Sequence, residues 1–281
     1  MTPVISGRTA IIAHLGHPTE GFKAPLIYNP WFAARGIDAV VVPMGVTAAD
    51  YPSVLPALFR LTNLRGALVT MPHKITTTGL VDHLTPAARI AGACNAILRR
   101  ADGSLEGDMF DGAGFVRGLL RKSCRVRGAR ALVIGCGGVG SAIAASLAAE
   151  GLAAITLFDA APAAAAALAA RLAAHYPALA IATGDNDPAF HDIIVNATPL
   201  GSADGDPLPL DPLRLSAGMT VGEVVMRETF TPLLRAAQAS GCRVQVGTDM
   251  LFEQIPAYLE FFGFGTATPE ELRRTARLDG A

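Results

Sequence analysis

Lysine is nearly missing from this chain. Of its 23 Lys+Arg residues only Lys23, Lys74 and Lys122 are lysines, and arginine supplies the rest of the positive charge. There is no basic run and the formal net charge is −1, which argues against nucleic acid or an acidic membrane surface as a partner. Long apolar runs are missing too. The chain is 51% hydrophobic and its mean hydropathy is +0.38. Even so, Gly, Pro, Arg and Asp break every apolar stretch before the roughly 20 residues that a spanning helix needs, so no membrane segment is expected. The opening MTPVISGRTAIIAHLG has no charged region followed by an apolar stretch and a small-residue cleavage site, so a cytoplasmic protein is expected. The four cysteines, Cys94, Cys124, Cys136 and Cys242, show no paired metal spacing and are expected as buried thiols. His14, His17, His73 and His83 match no ligand set either, so no metal is expected.

Against this background Lys74 stands out. It follows an apolar, strand-like run in GALVTMPHKITTTG. Arginine stays charged in a protein, whereas lysine can give up its proton. Two readings are open: a solvated charge at a strand end, or a proton-transferring group.

At 281 residues the chain has room for one large domain or, more naturally, two. Short β-rich runs alternate with longer Ala/Leu-rich segments. Strands are expected at Thr9–His14, Ala39–Pro43, Gly66–Thr70, Cys94–Leu98, Ala131–Ile134, Ala154–Phe158, Asp192–Asn196, Thr220–Val225 and Arg243–Val246. Helices are expected at Pro25–Arg35, Ala48–Leu61, Gly112–Arg121, Gly138–Glu150, Pro162–Ala174, Thr231–Ser240 and Met250–Phe262. The alternation predicts an α/β protein with parallel sheets. ADGS at 101–104 reads as a hairpin turn. Boundaries near residues 111 and 247 would place a Rossmann-like domain at 112–246, with 1–111 and 247–281 forming the other domain.

Residues 131–142, ALVIGCGGVGSA, run from a buried strand through Gly135-x-Gly137-x-x-Gly140 into an Ala-rich helix, with Gly138 and Val139 between the last two glycines. The first glycine permits a tight turn, the second lets backbone approach a pyrophosphate, and the third lets helix pack on strand. The free N–H groups of the helix start favour phosphate. A second strand ends in Phe158-Asp159, placing an acid where ribose hydroxyls would bind. A carboxylate there accepts from a free 2′-OH and repels a 2′-phosphate, so NAD is favoured over NADP. Asp159 also suits a helix N-cap before Pro162, and both roles stay open.

Several separated motifs resemble those of the shikimate/quinate dehydrogenase family. They are Val69-Thr70-Met71-Pro72-His73-Lys74, Ala91-Gly92-Ala93-Cys94-Asn95, Gly107-Asp108-Met109-Phe110-Asp111-Gly112, Asn196-Ala197-Thr198-Pro199-Leu200-Gly201, Thr231-Pro232-Leu233-Leu234 and Gly247-x-x-Met250-Leu251-x-x-Gln254. Their order spans nearly the whole chain. The resemblance implies an N-terminal α/β substrate domain, a Rossmann-like NAD(P) domain, a C-terminal helix returning to the first, and an active site in the cleft between domains. It implies Lys74 and Asp111 as the catalytic pair, with Thr70, Asn95 and Gln254 binding substrate. It puts Asn196, Ala197, Thr198, Pro199 and Gly247 near the nicotinamide. The implied reaction is reversible hydride transfer between cofactor and a ring hydroxyl of shikimate, quinate or a related cyclic alcohol. The oligomeric state is not readable from the sequence, and a homodimer is one open reading. A partly desolvated lysine can serve as the base for the hydroxyl proton. From the residues alone, Asp111 also suits a helix N-cap, Asn95 a turn, and Gln254 a solvated helix position.

The pattern breaks at the position of the substrate carboxylate. Where the family presents Ser-x-Ser-Pro, this chain has Phe22-Lys23-Ala24-Pro25. Leu68 stands in place of an Asn, Met109-Phe110 in place of Asn-Thr, and Met226 in place of a Tyr. A lost hydrogen bond to a charged group costs roughly 1.5–3 kcal/mol. Two or three such losses would weaken acid binding by orders of magnitude unless Thr19, Lys23 or His73 takes over. The expectation is therefore retained chemistry on a rebuilt pocket lined by Phe22, Ala24 and Leu68. Two other functions remain: another two-domain Rossmann dehydrogenase, or a non-catalytic cofactor- or metabolite-binding regulator.

Overall fold

The computed structural model describes residues 5–202, 205–226 and 230–278. The chain divides into two compact units, Met1–Phe110 with Ile255–Ala281, and Asp111–Gln254.

The first unit carries β1 (Ala10–Gly16), α1 (Ala24–Arg35), β2 (Ala39–Gly45), α2 (Tyr51–Leu58), β3 (Leu64–Val69), β4 (His83–Leu84), α3 (Pro86–Ala91), β5 (Ala96–Arg99) and β6 (Leu105–Asp108). Its strand order is β2-β1-β3-β5-β6-β4. The β1–β2 and β1–β3 pairs are parallel, but β3–β5 and β5–β6 are antiparallel, so this sheet is mixed: the hairpin expected at 101–104 joins β5 to β6, whereas the antiparallel β3–β5 pair departs from the expected parallel order. The cause at β5–β6 is local. Ser104 Oγ and backbone N–H both donate to Asp102, and Gly103 takes φ +89°, which turns the chain back at once with no helical crossover. The short β4 and α3 escaped the sequence reading. Thr85 caps α3 through the Ala88 N–H, Pro86 opens it, and Gly92 ends it at φ +61°.

Side chains alternate across this sheet. Ala13 and Leu15 of β1 and Ala67 and Val69 of β3 face a core completed by Tyr51 and Leu55 of α2. Ile12, His14, Gly66 and Leu68 take the other face, and His14 lies in register with Leu68. At Gly66 a Cβ would lie 2.5 Å from the Phe262 ring, so only glycine fits.

The second unit holds α4 (Asp111–Arg121), β7 (Arg130–Ile134), α5 (Gly138–Ala149), β8 (Ala154–Phe158), α6 (Pro162–His175), β9 (Ala180–Thr183), β10 (Ile193–Asn196), β11 (Thr220–Glu223), α7 (Pro232–Ala239) and β12 (Arg243–Gln245). The order β12-β11-β10-β7-β8-β9 is parallel throughout. The chain winds outward from β7 through β8 to β9, then crosses to the other side of β7. That reversal is the switch point at which doubly wound sheets bind ligands, beyond the carboxyl ends of the strands. Its core gathers Leu132, Ile134, Ile194, Val221, Leu233 and Leu234.

Helix α8 (Gly247–Phe262) contains the junction between Gln254 and Ile255. A last helix, α9 (Pro269–Thr275), starts with a capping box between Thr268 and Glu271. It packs on α1, where Arg35 pairs with Glu271 at 2.8 Å and the Arg277 N–H donates to the Leu26 carbonyl. Among the described residues no helix is long and apolar enough to cross a membrane.

Candidate active site

The half of the site carried by the first unit forms where β1 and β3 end. The Thr70 N–H donates to the Leu15 carbonyl, the His73 N–H to the Thr70 carbonyl, and the Cys94 N–H to the Lys74 carbonyl. The Val69 N–H donates to the Asn95 carbonyl at 2.8 Å. Thr70, Lys74 and Asn95 are thereby brought to one sheet edge. Asn95 is buried, and its Oδ1 accepts from the Phe110 N–H at 2.9 Å. It is thus held by the turn that follows β6. Phe110 itself packs edge-on against Tyr258 and Phe261.

His73 belongs to the scaffold beneath Lys74. It is 1% exposed and stacks on Tyr51 at 3.9 Å and 5°. Its Nε2 lies 2.8 Å from the Val46 carbonyl, which can only accept, so Nε2 carries the proton. Burial lowers its pKa. His73 therefore occupies the family's aromatic slot as a flat neutral ring and is withdrawn from the list of groups that could replace the missing serines.

Phe22 is half-buried, and its ring stacks on His14 at 4.1 Å and 29°. Beside it Gly16 has no room for a side chain: a Cβ would lie 2.4 Å from Thr70 Cγ2 and 2.8 Å from Phe22 Cζ. Ala24 is the first residue of α1, and Leu68 is 5% exposed. His14 was not among the residues assigned to the site by sequence. It is 8% exposed, its Nδ1 has no hydrogen-bond partner among the described residues, and its pKa falls to about 4 through burial and then the charge of Lys74. Its signal in the sequence was a lone histidine in an apolar strand run, a pattern that satisfied core histidines share.

The second unit holds the cofactor loop. Gly135, at φ +97°, ends β7, and a Cβ there would sit 2.9 Å from the Ala197 backbone. The loop after β10 thus lies directly on the glycine turn. At Gly140 a Cβ would come within 1.8 Å of the Gly135 carbonyl oxygen, so helix and strand meet without a side chain between them. Gly137 faces open space, and it precedes α5 with no side-chain cap. The first-turn N–H groups of α5, from Gly138, Val139 and Gly140, have no intrahelical partners and suit a pyrophosphate.

Asp159 follows β8. Its Oδ2 accepts from the Cys136 N–H at 2.7 Å and its Oδ1 from the Ala161 N–H at 2.8 Å. The N-cap of α6 is Ala161, so Asp159 braces the glycine loop and the turn before α6 and does not itself cap the helix. Asn196 is fully buried. Its Oδ1 accepts from Thr198 N–H and Oγ1–H, and its Nδ2 donates to Leu200 O, which shapes the Asn196–Pro199 turn. At Gly247 a Cβ would sit 2.1 Å from the Val225 carbonyl oxygen.

Asp111 is 4% exposed and is the first residue of α4. At Gly112 a Cβ would lie 2.0 Å from the Ala142 carbonyl oxygen, which docks α4 tightly on α5. Gln254 is 7% exposed, buried like Met250, one turn before it on the same face of α8. It is not a solvated helix position.

A family model described as the shikimate dehydrogenase substrate binding domain matches residues 15–97. A shikimate dehydrogenase (NADP(+)) of Acidiphilium cryptum is 33% identical over 98% of this chain and 99% of its own length. The chain belongs to the shikimate dehydrogenase family. Solved structures agree. The Listeria monocytogenes shikimate 5-dehydrogenase, in complex with shikimate and NAD, superposes with a TM-score of 0.90 at 26% identity, covering 98% of both chains. A 5-ketofructose reductase of Gluconobacter superposes with a TM-score of 0.86 at 25% identity, covering 96% of this chain and 98% of its own. The protein is an NAD(P)-dependent oxidoreductase of the shikimate dehydrogenase family, and the glycine loop and free α5 start fit that cofactor.

Proposed function

We propose that the enzyme interconverts a secondary alcohol and its ketone on a small hydroxylated, uncharged substrate, with Lys74 and Asp111 serving the hydroxyl proton. The bound nicotinamide supplies or accepts the hydride. Lys74, fixed by the buried His73–Tyr51 stack, holds the substrate hydroxyl and takes its proton as the carbonyl forms. Asp111, tied to α5 through Gly112, orients the same hydroxyl and shares the proton. Asn95, Thr70 and Gln254 bind the neighbouring hydroxyls. Gly135, Gly137, Gly138, Val139 and Gly140 cradle the pyrophosphate, and Asn196, Ala197, Thr198, Pro199 and Gly247 flank the nicotinamide. NAD is preferred, because a fixed carboxylate at Asp159 accepts from the ribose 2′-OH and repels a 2′-phosphate.

The observation that carries the substrate reading is the Phe22 ring, standing where the family has a serine and stacked on a buried histidine. An aromatic ring, Ala24 and Leu68 offer no hydrogen bond to a carboxylate. The relatives span both chemistries: the curated one is named for shikimate, whereas the Gluconobacter neighbour is named for 5-ketofructose, a neutral sugar. Steady-state rates with shikimate, quinate, 5-ketofructose and cyclohexane-1,2,3-triol, each with both cofactors, test the proposal. The expected result is a neutral substrate preferred over either acid and NAD over NADP. Efficient shikimate turnover at micromolar concentrations would sink it.

A further inference from the structure

The rebuilt wall contains one group that neither the proton-transfer scheme nor the core explains. His14 is on β1, in register with Leu68, on the sheet face opposite the α2 core. It sits near the carboxyl end of its strand, where parallel strands present ligand-binding groups. Two residues on, Gly16 touches both Thr70 and Phe22. Lys74 is close enough for its charge to act on the imidazole. The ring is more than nine-tenths buried and stacked on Phe22, yet Nδ1 meets no donor or acceptor among the described residues. A polar atom withdrawn from water without a partner is costly, and such atoms in native proteins call for an explanation. An aliphatic residue would fill the same place on the sheet without that cost.

We propose that the His14–Phe22 stack is the specificity-determining wall of the substrate site: Phe22 lies against the carbon face of the substrate, and the His14 imidazole hydrogen-bonds one of its hydroxyls. The inference rests on the reading above that the substrate is uncharged. Burial and the neighbouring Lys74 keep His14 neutral around pH 7, so it gives a carboxylate no counter-charge. A neutral imidazole can accept from or donate to a hydroxyl, which suits an alcohol and its ketone alike. Phe22 at the former serine position then rejects the acid by leaving its oxygens unpaired.

The test is a comparison of kcat and KM for 5-ketofructose reduction with NADH and shikimate oxidation with NAD. His14→Phe keeps the stack and removes both nitrogens. It should raise KM for 5-ketofructose about 10- to 30-fold and lower kcat less than threefold, a loss of one hydrogen bond. His14→Asn keeps a hydrogen-bonding side chain and should recover part of that KM, which a purely structural role for His14 would not produce. Phe22→Ser with Ala24→Ser should lower KM for shikimate at least tenfold. Melting curves check that each variant is folded. If wild type prefers shikimate to every neutral compound, the proposed function fails before any variant is made. If wild type prefers 5-ketofructose but His14→Phe leaves its KM unchanged, the wall assignment alone is overturned.

Discussion

Glu223 ends β11 fully buried, in register with Asn196, and none of the proposed chemistry uses it. Its Oε2 accepts from Thr231 Oγ1–H at 2.9 Å, while its Oε1 has no hydrogen-bond partner among the described residues. Burial pushes its pKa from 4.5 up to about 7, against the hydrogen bond from Thr231, which pulls the other way. Below pH 4.5 the acid is neutral both folded and unfolded, and burial costs no charge. Above pH 7 the folded protein must bury a carboxylate that the unfolded chain leaves in water. Stability is therefore lost as pH rises between these limits, by up to about 3 kcal/mol. Glu223→Gln keeps an oxygen for Thr231 and removes the ionisation. At pH 8.5 the variant should melt higher by about 5 °C or more, given 2–4 °C per kcal/mol for a unit of this size. At pH 4.5 the two proteins should melt together. Thermal unfolding followed by circular dichroism at both pH values measures the difference. An equal gap at both, or a more stable wild type at pH 8.5, would refute the reasoning, because neither follows from a buried ionisable group.

His14 carries the opposite sign. Its folded pKa is depressed to about 4, so it should cost stability as pH falls from 6.5 towards 4, and His14→Phe should flatten that acid-side loss in a melting series. Lys74→Ala should lower kcat by about 10²–10⁴ with little change in cofactor affinity, and Lys74→Arg should not restore the rate, since arginine cannot act as a base. Unchanged turnover in either would remove Lys74 from the mechanism. Gly140→Ala would drive a methyl group into the Gly135 carbonyl oxygen at 1.8 Å; NADH fluorescence titration should show at least tenfold weaker binding. Asp159→Asn should narrow the preference for NAD over NADP, read from the ratio of the two kcat/KM values.

Where function depends on a local run of chain, the sequence was readable. The strand–glycine–helix passage at 131–149 needs no partner to be recognised, because its decisive contact lies within one βα unit, Gly140 against Gly135 O; the contact of Gly135 with the loop after β10 is long-range and could not be read locally. The ADGS hairpin is similar, its turn closed by Asp102 and Gly103. The antiparallel entry of β5 was not readable, since a four-residue strand looks the same in either direction. The exposed β9, of sequence AIAT, lacks any alternation. Helices α3 and α9 were likewise not anticipated, although Thr85-Pro86 and Thr268-Pro269-x-Glu271 carry the capping signals that mark them. At the site, the loss of serines at 22 and 24 was plain, but what replaced them was not. His14 and Phe22 are separated by a loop, and only folding puts one ring on the other.

That separation explains how one family can keep its chemistry while changing its substrate. Lys74 is held from below. Tyr51 OH lies 2.7 Å from Thr77 Oγ1, Thr77 Oγ1–H donates to the His73 carbonyl at 2.9 Å, and His73 reaches Val46. Each of these groups is buried, and removing one would leave another unpaired at a cost of about 1–3 kcal/mol. Changes there act on folding and on the proton-transferring group together. Phe22 and Ala24 are under no such constraint. They stand half-buried where the loop after β1 enters α1, and their side chains contribute no hydrogen bond to the fold. A serine-to-phenylalanine exchange at 22 therefore alters what the pocket accepts without touching what holds Lys74. His14 couples the two, because it shares a sheet with the Lys74 segment and a stack with Phe22. Substrate choice in this enzyme should accordingly move with positions 14, 22, 24 and 68 as a set, while the proton-transfer step stays with the buried lattice under residue 74.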